Sequence, residues 1–222
     1  LCKTPDLAKE LIYAAREGAG NLPVSVKTRI GLHTIDIEGW LGTLLSTNIP
    51  VLIVHLRTMK EMSKVPAHWE MMSEIVKMTR EMPAGKRPLV IGNGDIMTLQ
   101  DGRAKISASG ADGMMIGRGI FQNPWFFNPA VDAASIASIA PQERIAMLLR
   151  HTQYFEEAWG TMRPFNVLKR FYKIYINGWN GAKELRTQLM ETKNADEARR
   201  VIAEHVILSR SILPEAQAPF RS

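Results

Sequence analysis

Four short stretches of the chain carry the side chains best suited to chemistry: Lys27 and Arg29; His55 and Arg57; Asn93, Gly94 and Asp95; Gly117 and Arg118. The ammonium and guanidinium groups supply positive charge, and the glycines let backbone N–H groups come close to a ligand. A cationic, glycine-rich set of this kind suits an anionic cofactor that carries phosphate. No carboxylate pair for acid and base work stands out, and no nucleophile stands beside a base. His33, His55 and His68 lack the spacing and carboxylate partners of a metal centre, so metal binding is set aside. Each residue alone has an ordinary explanation. A strand-end Lys or Arg is usually solvated, a lone His is more often a structural hydrogen-bonder, and a single Gly-x-Gly is common in turns. The functional reading rests on the four clusters occurring together.

Their placement follows from the apolar pattern. Residues 23–31 read as a strand of β-branched residues, 51–55 as a second apolar strand, and 89–91 and 114–116 as two more with the length of buried parallel strands. Helical patterns separate them: 6–16 with Leu7, Leu11 and Ile12 on one face, 36–47 around Trp40, Leu44 and Leu45, the Met-rich 69–81, and 98–108. Strand and helix alternate four times, which predicts a parallel sheet with helical crossovers. The expected fold is α/β, a (β/α)8 TIM barrel of which about four βα units, the C-terminal half, lie in this chain. In such a barrel the C-terminal strand ends face the active site and the last two strands build a phosphate site. All four clusters occupy strand ends. Leu1 is not a translation start, and half a barrel has open edges, so earlier strands are expected in front of it.

From Asn128 the pattern changes. Residues 130–140 read as a linker or short helix, and Pro141 suits the first position of a helix. Ile145, Leu148, Leu149 and Thr152, extended by Phe155 and Trp159, keep the spacing of a buried face. A second helix is expected from Pro164, with Phe165, Leu168, Phe171, Tyr172 and Tyr175 inward and Asn166, Lys169, Arg170 and Lys173 opposite. A third covers 182–190, and a fourth follows Asn194, with Glu197 placed as in a capping box. The expected domains are therefore a barrel portion over 1–128 and a small all-α bundle over 129–222.

Charge and composition narrow the classes. The chain has 222 residues, 45% hydrophobic and 23% charged, with a net charge of +6. This is the make-up of a soluble globular protein, and no apolar run nears the roughly 20 residues of a membrane span. One cysteine excludes an internal disulfide and makes a reducing cytoplasm the default. Residues 141–222 carry thirteen basic and nine acidic side chains, so the positive excess leans to the helical end and makes a polyanionic partner plausible.

The order Val-Lys-Thr-Arg-Ile-Gly, His-x-Arg-Thr, Ile-Gly-Asn-Gly-Asp-Ile, and Asp-Gly-Met-Met-Ile-Gly-Arg-Gly with a following Asn-Pro-Trp resembles the tRNA-dihydrouridine synthases. Order and spacing match from about Thr4 into the helical tail, where Gly-Ala-Lys-Glu-Leu-Arg ending at Arg186 also fits. The resemblance implies an FMN enzyme that reduces the 5,6 double bond of a uridine in tRNA, with NADPH as electron donor. It implies that Lys27 lies beside the flavin and that His55 contacts FMN or the target base. By the same resemblance Asn93, Gly94, Asp95, Gly117 and Arg118 hold the ribityl phosphate. Arg29 and Arg57 match positions facing the RNA entrance, and Lys169, Arg170 and Lys173 suit the family's grip on tRNA. A monomer is expected.

The family's proton-donating cysteine lies in an Asn-x-Gly-Cys-Pro motif that this chain does not contain, and Cys2 stands in another context. No catalytic residue is therefore assigned within the 222 residues, and the chain alone is expected to be inactive. Two other readings share some of these features. A dihydroorotate-dehydrogenase-like FMN barrel would keep the phosphate loops and Lys27 but would have no use for a basic helical tail. A non-catalytic tRNA-binding protein would have no need of Asn93 and Arg118.

Overall fold

The computed structural model describes residues 1–131 and 135–212. They divide into two compact units, Leu1–Pro129 and the part that begins at Ala130. Residues 132–134 of the expected linker lie outside the described residues.

The first unit alternates helix and strand. Helix α1 (Pro5–Ala19) precedes β1 (Val26–Arg29), and a π-helical turn (Ile37–Leu41) leads into α2 (Gly42–Leu45) and then β2 (Val51–His55). A 3₁₀ turn (Trp69–Met71) opens α3 (Met72–Arg80), followed by β3 (Leu89–Asn93), α4 (Leu99–Ser109), β4 (Gly113–Met115) and α5 (Gly119–Gln122). The four strands form one parallel sheet in the order β1-β2-β3-β4, compatible with part of a (β/α) barrel. Among the described residues β1 and β4 are its outer strands.

The strands are not buried on both faces as their apolar runs predict. Leu52, Val54 and Val90 have no exposed surface and pack with Leu41, Leu44, Leu45, Met72, Ile75 and Val76 in one core. Between them Val51, Ile53, His55, Ile91 and Asn93 are only half-buried. Side chains alternate across a strand, and here the helices cover one face alone. The other face carries Lys27, Arg29, His55 and Asn93. Register makes Arg29 the partner of His55, His55 of Asn93, and Asn93 of Met115, so the polar strand ends form a single row across the sheet. Truncating Leu52 to Ala would cost about 2–5 kcal/mol, because the core behind that row would be left with a cavity.

Local chemistry sets the element ends. Thr98 accepts from Asp101 N at 3.0 Å to cap α4, and Gly110 closes it at φ 72. The 36–47 helix is divided because Asp36 caps Gly39 N at 2.9 Å over a π turn. Helix α1 runs past the expected end to Ala19, and it buries Ala8 and Ile12 while Leu7 and Leu11 stay about half exposed. Beneath β3, the Trp69 indole occupies the space a side chain at Gly92 would need, since a Cβ there would lie 2.4 Å from the ring. Its Nε1 donates to Gly94 O at 2.8 Å.

The second unit holds a 3₁₀ turn (Ser135–Ser138) and helices α6 (Pro141–Trp159), α7 (Asn166–Lys169), α8 (Tyr172–Tyr175), α9 (Ala182–Glu191) and α10 (Ala195–Ile212). Ile145, Leu148, Phe155, Leu168, Tyr172, Leu185, Leu189 and Ile202 form its core. The single helix expected from Pro164 is two short ones. Val167, Leu168, Phe171 and Ile174 all donate to the carbonyl three residues back, the tighter 3₁₀ geometry. Trp159 lies outside the core, 41% exposed, with the Arg163 guanidinium 4.6 Å over its ring. Asn194 accepts from Glu197 N at 2.9 Å, while Glu197 reaches back to Lys193 N at 2.7 Å, one residue earlier than in a standard capping box.

Candidate functional site

A cleft of about 290 Å³ opens at the C-terminal ends of the strands, lined among others by Arg29, His55, Arg57, Asn93, Gly94, Asp95, Gly117 and Arg118. Three of the four expected clusters thus meet there in full, and Arg29 joins them. Lys27 sits two residues before Arg29 on the same sheet face, and lines a neighbouring cavity of about 550 Å³ at the β1 edge with Trp40, Leu44 and Met59. Partial desolvation and then the charge of Arg29 lower the ammonium's pKa.

The loop 56–68 after β2 is tied down along its length. Arg29 donates to Thr58 O at 2.8 Å and Met62 O at 3.3 Å. Ala67 N donates to Asp95 Oδ2 at 2.9 Å, and Arg57 Nε to Val65 O at 2.6 Å. Glu61 accepts from Thr58 N at 2.7 Å and meets His68 Nε2 at 2.9 Å, while His68 Nδ1 lies 3.0 Å from Glu70. His68, read in the sequence as lacking carboxylate partners, therefore has two, brought to it by a turn that spacing alone does not reveal. Among the described residues no group of three such side chains is arranged to hold a metal ion.

Asp95 gathers two of the site's cations. Its carboxylate accepts from Arg57, from Arg118 Nη2 at 2.8 Å and from Ala67 N. Desolvation alone would raise its pKa, but the Arg57 hydrogen bond and the Ala67 N–H outweigh it and hold the group ionised. Asp95 itself adopts φ 47, and Gly94 beside it φ 129. Arg57, expected at an RNA entrance, is 3% exposed and turned inward onto Asp95, Val65 and His55. Asn93 donates to Met115 O at 2.7 Å and so braces the end of β4.

The glycines separate by cause. At Gly94 a Cβ would lie 2.7 Å from that of Ala67, and at Gly119 it would lie 2.4 Å from Ile96 O, so packing within the unit demands both. Gly117 is different. Nothing lies within 4 Å of the position its Cβ would take, its φ is not positive, and it opens onto the cleft beside Arg118, whose side chain is 62% exposed. The cleft rim also includes Ile96, the last residue of the Ile-Gly-Asn-Gly-Asp-Ile motif, and Met62, Ser63 and Met97, which no sequence pattern marks. Met62 at φ 52 is one of three non-glycine residues with positive φ among those described.

The family model described as dihydrouridine synthase (Dus) matches residues 1–211. The chain belongs to the dihydrouridine synthase family. Among relatives, the probable tRNA-dihydrouridine synthase 2 of Bacillus subtilis (strain 168) is 44% identical over 203 residues, 91% of this chain and 60% of the relative. The probable tRNA-dihydrouridine synthase of Staphylococcus epidermidis (strain ATCC 35984) is 44% identical over 200 residues, 89% of this chain and 59% of the relative. That of Staphylococcus aureus (strain MRSA252) is 43% identical over 201 residues, 90% and 59% respectively. The chain thus spans about 60% of the length of these dihydrouridine synthase relatives.

In the second unit the basic residues expected to meet RNA differ in what they do. Lys169 Nζ donates to Met190 O at 2.6 Å, in the last turn of α9, and so serves as a cap there. Arg170 Nε bonds Val167 O at 3.1 Å, its guanidinium 5.4 Å over Phe171. Lys173 is exposed on α8. No helix among the described residues is long and apolar enough to cross a membrane.

Proposed function

We propose that the strand-end cleft holds the phosphate end of FMN, and that this chain is part of an enzyme that reduces the 5,6 double bond of uridine in tRNA. Gly117 carries the reading. It is a glycine that neither its φ nor its neighbours require, opening onto a cleft beside an exposed guanidinium, and close approach by a ligand gives it a reason. The donor set fits a phosphate: Arg118 offers a charged fork, and the backbone at Gly117 offers an unshielded approach.

Bound FMN would supply the hydride for uridine, with NADPH the source of its electrons. The roles of the chain's own residues follow from their chemistry. Arg118 and Gly117 bind phosphate. Asn93 and Asp95 act behind them, Asn93 bracing the β4 end and Asp95 orienting the two arginines. Lys27 and His55, on the same sheet face, supply an ammonium and an imidazole toward the ring system. Arg170 and Lys173 contribute positive charge to tRNA phosphates. The target base must leave its stack to reach a cleft of this size, which favours uridines in loops. No Asn-x-Gly-Cys-Pro motif occurs in these 222 residues, so the proton for uridine carbon 5 is assigned to none of them. The chain by itself is expected to bind flavin without turning over.

Titration of the chain with FMN and with riboflavin, followed by flavin fluorescence, tests the reading. A clear preference for FMN is expected. Equal affinity for the two would remove the phosphate site, and uridine reduction by this chain alone would overturn the absence of a proton donor.

A further inference from the structure

Arg57 lies two residues beyond His55, and its guanidinium works wholly inside the first unit. Nε donates to Val65 O at 2.6 Å, Nη2 pairs with Asp95, and Nη1 stands 3.3 Å from His55 Nε2. A guanidinium has N–H donors only and keeps its charge at any pH a folded protein survives. The imidazole nitrogen that faces it must therefore offer a lone pair, which leaves the ring proton on Nδ1. Packing agrees on which edge is enclosed. A Cβ at Gly94 would lie 3.3 Å from His55 Cδ2 and 3.7 Å from Nε2, so the Cδ2–Nε2 edge is the one held against the loop after β3. The Nδ1–Cε1 edge lies opposite, on a residue that lines the cleft.

The charged groups around the ring disfavour the imidazolium. Lys27 and Arg29 approach from β1 and Arg57 from the loop 56–68, against one carboxylate, Asp95, from the loop after β3. Burial first, then Arg29, Lys27 and Arg57, lower the His55 pKa to about 4.

We propose that Arg57 is a positioning residue that locks His55 as the neutral tautomer protonated on Nδ1, so that His55 presents an N–H donor to an uncharged acceptor, a ring carbonyl or ring nitrogen, in the cleft. Arg118 suits an anion; a neutral donor suits the heterocycle itself. His55 is then no proton source for the reaction. Only the identity of the acceptor rests on the flavin reading above.

Long-range ¹H–¹⁵N correlation of the ring nitrogens in the full 222-residue chain tests the lock, with His55→Gln identifying the signals. A pyrrole-type Nδ1 and a pyridine-type Nε2 are expected to persist between about pH 5 and 8, where an ordinary histidine titrates. A proton on Nε2, or an imidazolium within that range, would overturn the proposal, and this spectrum decides whatever the Arg57 variants do. Arg57→Met is expected to give mixed tautomers and to bring titration back toward the ordinary value. Arg57→Lys, which keeps the charge but not the fork, should hold the titration down while losing the single tautomer. For the ligand, the amide nitrogen of His55→Asn overlays Nδ1 and that of His55→Gln overlays Nε2. The Asn variant should bind FMN about ten-fold more tightly than the Gln variant, the worth of one hydrogen bond; the reverse order would sink the assignment of Nδ1 to the cleft. Failure of the unmutated chain to bind FMN would defeat the flavin reading, and the ring spectrum would still judge the lock.

Discussion

Arg118 and Asp95 meet at 2.8 Å across the candidate cleft, with 62% of the arginine side chain exposed and 30% of the aspartate. An ion pair this wet is worth about 0–1 kcal/mol, so Arg118 can turn to an incoming anion at small cost. Arg57, on the other oxygen of the same carboxylate, is buried and stays. One acidic side chain thus carries a fixed arginine and an available one.

Replacing the available one should affect phosphate selectively. Arg118→Ala is expected to weaken FMN by about ten- to hundred-fold, the range for a hydrogen bond to a charged group of about 1.5–3 kcal/mol. Riboflavin affinity should not change. Parallel loss of both ligands in a fluorescence titration would mean that Arg118 does not recognise phosphate.

The two glycines of Gly-Arg-Gly should part company. Gly119→Ala forces a methyl against Ile96 O and the Phe126 ring, and a cost of about 1–3 kcal/mol is expected in a denaturant melt. Gly117→Ala meets open space, so stability should move by no more than about 0.5 kcal/mol while FMN affinity falls. A Gly117→Ala chain that melts normally and binds FMN as before would leave that glycine without a ligand-based explanation.

Much of this was legible beforehand, for physical reasons that can be named. β2 appears at 51–55 as expected because a β-branched apolar run bounded by Pro50 and a polar exit permits little else. The strand-end residues converge because parallel βα units put every C-terminal strand end on one side. What periodicity cannot carry is side-chain pairing across loops. The inward turn of Arg57, the bridging of His68 by Glu61 and Glu70, and the positive φ of Met62 depend on how 56–68 is folded, and that loop has no repeating pattern. Leu7 and Leu11 stay outside because helical spacing fits a stripe to either of two adjacent faces, and the face with Ala8 and Ile12 is the one buried in the core, beside α2.

The His68 bridge predicts a pH dependence. Only the imidazolium can donate to both Glu61 and Glu70, and the Glu61 hydrogen bond, reinforced by Glu70, raises its pKa. A raised folded value means that the stabilisation is complete below the ordinary histidine value of about 6.5 and is lost as pH rises through the folded value. Glu61, lowered by the Thr58 N–H first and by His68 as well, stays ionised throughout that window. The melting-temperature difference between the parent chain and His68→Gln should therefore be largest below about pH 6.5 and shrink above it. A difference that grows with pH would contradict the bridge.

On the helical unit, Lys169 and Lys173 should behave oppositely. Lys169→Ala removes a cation from the C-terminal turn of α9, with about 0.3–1 kcal/mol of stability lost and the salt dependence of tRNA binding unchanged. Lys173→Ala should leave stability alone and reduce the slope of log affinity against log salt by about 0.9, one phosphate contact. A reduced slope for Lys169→Ala would show that its capping bond yields to RNA.

Trp69 and Gly92 share one volume, the indole of the first filling what the second leaves empty, and the same indole bonds the carbonyl of Gly94. Neither position can drift alone. A side chain at Gly92 is admissible only after Trp69 has shrunk, and a smaller residue at Trp69 surrenders both the filling and the bond. The turn that opens α3 and the strand end that floors the cleft are thereby coupled, and a change at one is expected to be tolerated only with a compensating change at the other.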